Sequence, residues 1–144
     1  MGVGKTVVGR AVAERLSVAF ADLDAHIGSP AEIFALEGEA GFRARERAAL
    51  ASLVEGHGVI SLGGGTLAFA ANRAALADWQ VLVLMARPDA LRIRLGEGGN
   101  RPLAHRWESL LEERLPIFRL YAPFVETDEL TPANVVEAVL GRAT

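Results

Sequence analysis

The sequence predicts an α/β fold in which helices cover both faces of a parallel sheet, giving three layers. Three observations support this prediction. Short apolar runs alternate with stretches of helical spacing along the chain. A glycine-rich segment stands directly before the first helical stretch. Further polar and glycine-rich motifs follow the expected strands, at the sheet edge where open α/β sheets bind their ligands.

The first half of the chain shows two strand patterns separated by helices. Apolar residues in 5–17 recur at the spacing of one helix face. Residues 18–22 have the composition of a short strand, and helical stretches follow near 30–37 and 39–55. The run 59–62 (Val-Ile-Ser-Leu) predicts a buried strand that three glycines end.

The second half repeats this alternation. A helix is expected over 68–77 and a strand over 80–86. Pro88 suits the first turn of a helix that runs to about 95, and the next helix is expected over 107–115. A short lid is expected over about 96–106, around the glycine-rich segment. A strand near 124–127 and a helix from Pro132 complete the pattern, so residues 1–144 are expected to form a single domain.

Composition limits the possible functions. The chain has 144 residues, a formal net charge of −3 and no cysteine. A net negative charge argues against general nucleic-acid binding, and the lack of cysteine excludes disulfides and thiolate metal sites. The longest apolar runs, such as 81–86, are too short to cross a bilayer. We therefore expect a cytoplasmic monomer with no nucleic-acid or membrane partner.

Gly2-Val3-Gly4-Lys5-Thr6 matches the second half of the Walker A pattern. Glycines let backbone N–H groups approach phosphate at a helix N-terminus, Lys5 would reach the β/γ-phosphates, and the Thr6 hydroxyl would serve Mg²⁺. Lys5 is the only lysine among fifteen basic residues. The alternative is a helix start capped by glycine and threonine.

The complete Walker A pattern requires a further glycine two positions before Met1 and a buried strand before it. The predicted fold is therefore a P-loop three-layer sandwich with its first strand missing. We expect the natural protein to begin upstream of Met1.

Asp22 and Asp24 end the strand predicted over 18–22. Alternation along a strand would place both carboxylates on one side, pointing at the crevice. One carboxylate could hold Mg²⁺ through water, while the other orients an attacking hydroxyl or accepts its proton. The alternative is an Asp that caps the next turn.

Arginines and a glycine triplet complete the candidate site. Arg43 and Arg47 share one helix face with Glu46, and the planar fork of such an arginine suits a carboxylate, although a solvated charged face is the alternative. Gly63-Gly64-Gly65 would expose backbone N–H groups to a small polar ligand. Arg101 in the expected lid would supply charge to the transferring phosphoryl group, and Arg114 could face the same cavity.

Together these motifs resemble the shikimate kinase family over nearly the whole chain. The specific signals are Asp-x-Asp, Phe-Arg-x-x-Glu, Gly-Gly-Gly, Arg-Pro-Leu and a later Arg-x-Pro, in that order. The resemblance implies ATP-dependent phosphorylation of the shikimate 3-hydroxyl, with ATP and Mg²⁺ as cofactors and shikimate as the partner molecule.

The resemblance also implies residue roles. Lys5, Asp24 and Arg101 would be catalytic, and Thr6 and Asp22 would serve Mg²⁺. The nucleotide would contact Gly2, Val3, Gly4, Lys5, Thr6, Val7 and Arg101. Shikimate would contact Asp24, Arg43, Gly63, Gly64, Gly65 and Arg114, with the two arginines on its carboxylate.

Two alternatives stay open at this point. One is a related small-metabolite kinase, such as a gluconate kinase. The other is a shikimate-kinase-like domain that senses a ligand without catalysis. The segment between Asp24 and Ala31, and the span from Arg101 to Arg114, are both shorter than in the family, and Ala104 and Phe118 replace its usual leucine and tyrosine.

Overall fold

A computed structural model describes residues 3–95 and 106–143 of the chain. Its helices are α1 (Lys5–Leu16), α2 (Leu23–Ile27), α3 (Pro30–Leu53), α4 (Ala70–Ala75), α5 (Pro88–Leu95), α6 (Trp107–Phe118) and α7 (Pro132–Leu140). Its strands are β1 (Phe20–Asp22), β2 (Val59–Ser61), β3 (Leu84–Met85) and β4 (Val125–Glu126). Short 3₁₀ turns cover Thr66–Ala68 and Arg119–Tyr121. The predicted alternation of strands and helices is confirmed.

The strands form two parallel pairs. In one pair, Phe20 lies opposite Val59 and Asp22 opposite Ser61. In the other pair, Leu84 lies opposite Val125. Among residues 3–95 and 106–143, no ladder joins the two pairs. The parallel α/β class is therefore as predicted, but the described sheet is divided.

Two apolar cores lie on opposite faces of the strands. The first packs α1 and α7 against β4 through valines 8, 12, 125, 135, 136 and 139. The second is formed by Leu23, Leu50, Leu67, Leu76 and Val83, and involves α2, α3, α4 and the segment before β3. Helices therefore cover both faces, which gives the three expected layers.

Helix α3 is bent at Gly38. This residue has φ 70° and ψ −175°, a combination that side chains strongly disfavour, while the residues on either side are helical. The two helices predicted over 30–37 and 39–55 are thus confirmed as the two arms of α3, although the second arm ends at Leu53. The bend separates the arm that bears Arg43 from the arm that follows α2.

Some predicted boundaries differ from the structure. The strand predicted over 80–86 is reduced to Leu84–Met85, since it has a ladder partner on one edge only among the described residues. The helix predicted over 68–77 is divided into a 3₁₀ turn and α4. Helix α2 was not predicted. The expected lid lies outside the described residues apart from Arg106, which directly precedes α6.

No helix in the described parts of the chain is long and apolar enough to cross a membrane.

Candidate active site

The predicted phosphate loop ends where α1 begins. Gly4 adopts a left-handed conformation, with φ 81° and ψ 23°, and Lys5 is the first helical residue. The first N–H groups of a helix have no partner inside the helix, so those of α1 are available to an anion, which the helix dipole also attracts. A cavity lies beside this helix end, and Lys5 and Val3 line it. Val7, which was also predicted to contact the nucleotide, does not line this cavity and is 65% exposed.

Thr6 and Asp22 contact each other at the start of α1. The Thr6 hydroxyl donates a hydrogen bond of 2.5 Å to Asp22 Oδ2. Asp22 Oδ1 accepts from the Ala25 N–H at 3.2 Å, so Asp22 also caps α2. The alternative interpretation of this aspartate, a cap on the next turn, is therefore confirmed, and the cap fixes the carboxylate beside the threonine. The role of Asp22 toward Mg²⁺ stays a prediction.

Asp24 reaches the site by a different route from the one predicted. It lies in the first turn of α2 and not on a strand, so the alternation argument for two carboxylates on one strand end is wrong. A Cβ built on Gly63 would lie 3.0 Å from Asp24 Oδ1. The half-buried Asp24 carboxylate is therefore packed against the first glycine of the triplet.

The glycine triplet makes room for two guanidinium groups. A Cβ built on Gly65 would lie 2.7 Å from Arg43 Nη2 and 3.0 Å from Arg114 Nη2. Any larger residue would displace one or both of these groups. Gly64, between the two glycines, lines the cavity together with Arg114. The triplet thus brings together the side chains of Asp24, Arg43 and Arg114, which come from three different helices.

Arg43 is held rigidly inside this arrangement. Its Nη1 donates to both carboxylate oxygens of Glu46 at 3.1 Å, and its side chain is only 14% exposed. Its guanidinium carbon lies 5.2 Å from the Phe42 ring centre and 5.4 Å from that of Phe69, within cation–π range. Its buried Nε has no hydrogen-bond partner among the described residues. Arg47, its neighbour on the helix, is exposed.

The surroundings of Arg114 disfavour its positive charge. Burial lowers the pKa of its guanidinium, and the nearby positive charge of Arg43 lowers this pKa further, while Glu113, Glu46 and Glu39 act in the opposite direction. Two cations that face each other in a partly buried site repel one another. An anion placed between them would relieve this repulsion, so the geometry suits a carboxylate or a phosphate.

A buried polar network behind the arginine was missed as part of the site. Glu46 is fully buried, and its Oε1 accepts from the Thr66 hydroxyl at 2.9 Å. Asn72 Nδ2 in turn donates to the Thr66 carbonyl at 2.9 Å. The i, i+3 spacing of Arg43 and Glu46 was a sequence signal for the contact between these two residues. No local pattern in the sequence marks Thr66 or Asn72.

Two predicted site residues, Gly2 and Arg101, lie outside the described residues. Within 3–95 and 106–143 there is no group of three or more His, Cys, Asp or Glu side chains that could hold a metal ion unaided. Any metal at Thr6 and Asp22 would therefore need oxygen ligands from water or from a bound nucleotide.

Comparisons with known proteins agree on one family. The family model described as shikimate kinase matches residues 1–144. A shikimate kinase of Saccharopolyspora erythraea is 41% identical over 156 aligned positions, which cover 99% of this chain and 89% of that protein. A shikimate kinase of Salinispora tropica is 44% identical over 151 positions, covering 96% of this chain and 90% of that protein.

Solved structures lead to the same family. The shikimate kinase from Acinetobacter baumannii in complex with shikimate superimposes with a TM-score of 0.86 at 32% identity, covering 99% of this chain and 87% of that one. The shikimate kinase from Bacteroides thetaiotaomicron gives a TM-score of 0.85 at 32% identity, covering 99% and 93%.

Proposed function

Because the chain belongs to the shikimate kinase family, we propose that it uses the site at the glycine triplet to phosphorylate shikimate with ATP. The observation that supports this site most strongly is the meeting of the Arg43 and Arg114 guanidiniums with the Asp24 carboxylate around Gly63 and Gly65. The two cations fit the carboxylate of shikimate, and the Asp24 carboxylate fits one of its hydroxyls.

The reaction needs little covalent chemistry from the protein. The 3-hydroxyl oxygen of shikimate attacks the γ-phosphorus of ATP, the bond from that phosphorus to the β,γ-bridging oxygen breaks, and ADP leaves. Asp24 orients the hydroxyl and accepts its proton. Lys5 and the N–H groups at the start of α1 stabilise the phosphate charge, and Arg101 is assigned the same task from the expected lid.

Thr6 and Asp22 are the residues that would hold Mg²⁺. A hydroxyl and a carboxylate oxygen in contact are the hard ligands that this ion prefers, and its remaining ligands would be water and phosphate oxygens. When bound, the ion neutralises charge on the β- and γ-phosphates.

The two other functions considered from the sequence are less favoured. The relatives and the superimposed structures are named as shikimate kinases, and none of those reported above is named as a gluconate kinase or a sensor. Retention of Lys5, Thr6 and Asp24 also opposes a purely sensing role. A monomeric state and a cytoplasmic location remain part of the proposal.

Asp24→Asn tests the proposed site. Loss of the base should lower kcat by about 10²- to 10⁴-fold, while the retained amide oxygen keeps shikimate binding within a few-fold. The matched control is Asp78→Asn, which changes an exposed aspartate in the same way and should leave kcat unchanged. Steady-state kinetics and shikimate titration calorimetry would measure both. Equal kcat values for the two variants would remove Asp24 from the mechanism.

A further inference from the structure

The Phe69 side chain lies outside the two apolar cores. It is 42% exposed, and among residues 3–95 and 106–143 it belongs to neither core cluster. Its ring lies instead beside Arg43, whose guanidinium carbon is 5.4 Å from the ring centre. Burial of apolar surface in a core therefore does not explain why an aromatic residue stands at this position.

Hydrogen bonds fix the turn that carries Phe69. The Ala68 N–H donates to the Gly65 carbonyl at 3.1 Å. The Phe69 carbonyl accepts from the Asn72 and Arg73 N–H groups, both at 3.1 Å. The Arg73 guanidinium also donates to the Ala68 carbonyl at 3.1 Å. The ring is therefore carried by the same fixed turn that supplies the last glycine of the triplet.

The polar contacts of Arg43 fix one end of its guanidinium more firmly than the other. Both carboxylate oxygens of Glu46 accept from Nη1 at 3.1 Å. At the other end, Nη2 lies beside Gly65 and 3.5 Å from Glu39 Oε1, on an exposed side chain. Rotation of the guanidinium about the end that Glu46 holds would move Nη2 toward Glu39 or toward the glycine triplet. A group beside the guanidinium plane is needed to restrict this rotation.

Two aromatic rings lie within cation–π range of this guanidinium. Phe42 is buried and directly precedes Arg43 on α3, whereas Phe69 comes from the turn after the glycine triplet. The attraction between a guanidinium and a ring is stronger where solvent is excluded, and the Arg43 side chain is only 14% exposed. The orientation of the plane matters because a bidentate contact requires the fork of an arginine to match the plane of the carboxylate.

We propose that Phe69 is a positioning residue, which holds the plane of the Arg43 guanidinium in the orientation that receives the substrate carboxylate. Phe69 acts through Arg43 and not on the reacting atoms. The inference rests on the proposed function, because the carboxylate in question is that of shikimate. Loss of the ring should therefore weaken shikimate binding and leave phosphate transfer to bound shikimate nearly unchanged.

Phe69→Leu in the full chain tests this role, because leucine keeps an apolar side chain but removes the ring. The KM for shikimate should rise about 3- to 30-fold, while kcat and the KM for ATP stay within about twofold. Phe69→Tyr retains the ring and should keep the KM for shikimate within about twofold of the parent value.

Phe20→Leu is the matched control. The Phe20 ring also lies beside an arginine, with its centre 5.0 Å from the guanidinium carbon of Arg10, but this arginine has no predicted role in the site. The change should leave the KM for shikimate at the parent value. An equal rise in this KM for Phe20→Leu and Phe69→Leu would overturn the proposal.

The ¹⁵N order parameter of the Arg43 Nε–H bond tests the positioning in the free chain, without substrate. It should lie near the value of rigid backbone, about 0.85, in the parent and in Phe69→Tyr, and fall below about 0.6 in Phe69→Leu. An order parameter that Phe69→Leu leaves unchanged would overturn the proposal. So would a KM for shikimate that stays within twofold in Phe69→Leu, or one that rises equally in Phe69→Tyr. If the parent chain does not phosphorylate shikimate, the proposed function fails, and the order parameter alone decides whether Phe69 orients Arg43.

Discussion

Arg43→Lys tests whether the planar guanidinium, and not only its charge, binds substrate. In the structure Nη1 is engaged by Glu46 at 3.1 Å, while the buried Nε has no partner and Nη2 lies against Gly65. Nη2 also lies 3.5 Å from Glu39 Oε1, on an exposed side chain. The buried Nε and the Nη2 group beside Gly65 are therefore the atoms proposed to meet the substrate carboxylate. A lysine keeps the charge opposite buried Glu46 but cannot contact Glu46 and a ligand through a fixed fork.

The expected loss follows from these contacts. A hydrogen bond to a charged group contributes about 1.5–3 kcal/mol, so removing one should raise the KM for shikimate about 10- to 150-fold. The KM for ATP should change less than about twofold, since the start of α1, and not α3, is proposed to hold the phosphates. Steady-state kinetics with each substrate varied in turn would measure both constants, and circular dichroism would check the fold.

Arg47→Lys is the matched control. Arg47 lies one turn further along the same helix and is exposed, so this change should leave both KM values within about twofold. Equal rises in the KM for shikimate at the two positions would refute the assignment of Arg43. A rise confined to the KM for ATP at Arg43 would refute it as well.

Two further substitutions test the phosphate loop and the glycine triplet. Lys5→Met should abolish turnover while circular dichroism stays unchanged, because the charge of Lys5 is proposed to serve phosphate and not packing. Activity within a few-fold of the parent would disprove the phosphate-loop assignment. Gly63→Ala should lower kcat/KM for shikimate at least about tenfold, since the new Cβ would lie 3.0 Å from Asp24 Oδ1 and from Glu46 Oε1. Gly56→Ala, whose Cβ would meet only the Leu53 carbonyl at 3.5 Å, is the control and should show parent kinetics.

Local signals predicted the order of elements well. Pro88 and Pro132 each begin a helix as expected, and the Thr131 hydroxyl caps the second by accepting from the Asn134 N–H. Strand lengths were less predictable, because they depend on which neighbours pair with each edge. A strand was predicted over 80–86 from its apolar run 81–86, yet only Leu84–Met85 pairs as a strand. Helix α2, five residues long, is too short to produce a periodic pattern.

In the site, too, the residues in local motifs were predicted, whereas their contacts with residues distant in sequence were not. Asp24, Arg43, Gly63, Gly65 and Arg114 were all predicted as substrate contacts, and the structure brings them together. The reason given for Asp24 was wrong, since α2 and not a strand positions it. Contacts between residues distant in sequence, such as those of Thr66 with Glu46 and of Phe69 with Arg43, leave no pattern in a single sequence.

The central claim is that this chain transfers phosphate from ATP to shikimate. A coupled assay of ADP release measures it directly, with Mg²⁺ and ATP present and with shikimate, gluconate or no acceptor added. We expect ADP release with shikimate to be at least about a hundredfold faster than with gluconate. Both acceptors carry a carboxylate and hydroxyls, but the ring of shikimate holds these groups at a fixed separation, whereas the open chain of gluconate must be ordered to reach the arginine pair and Asp24 together. The rate without acceptor should be near background. Equal ADP release in all three reactions, or release with gluconate alone, would contradict the account.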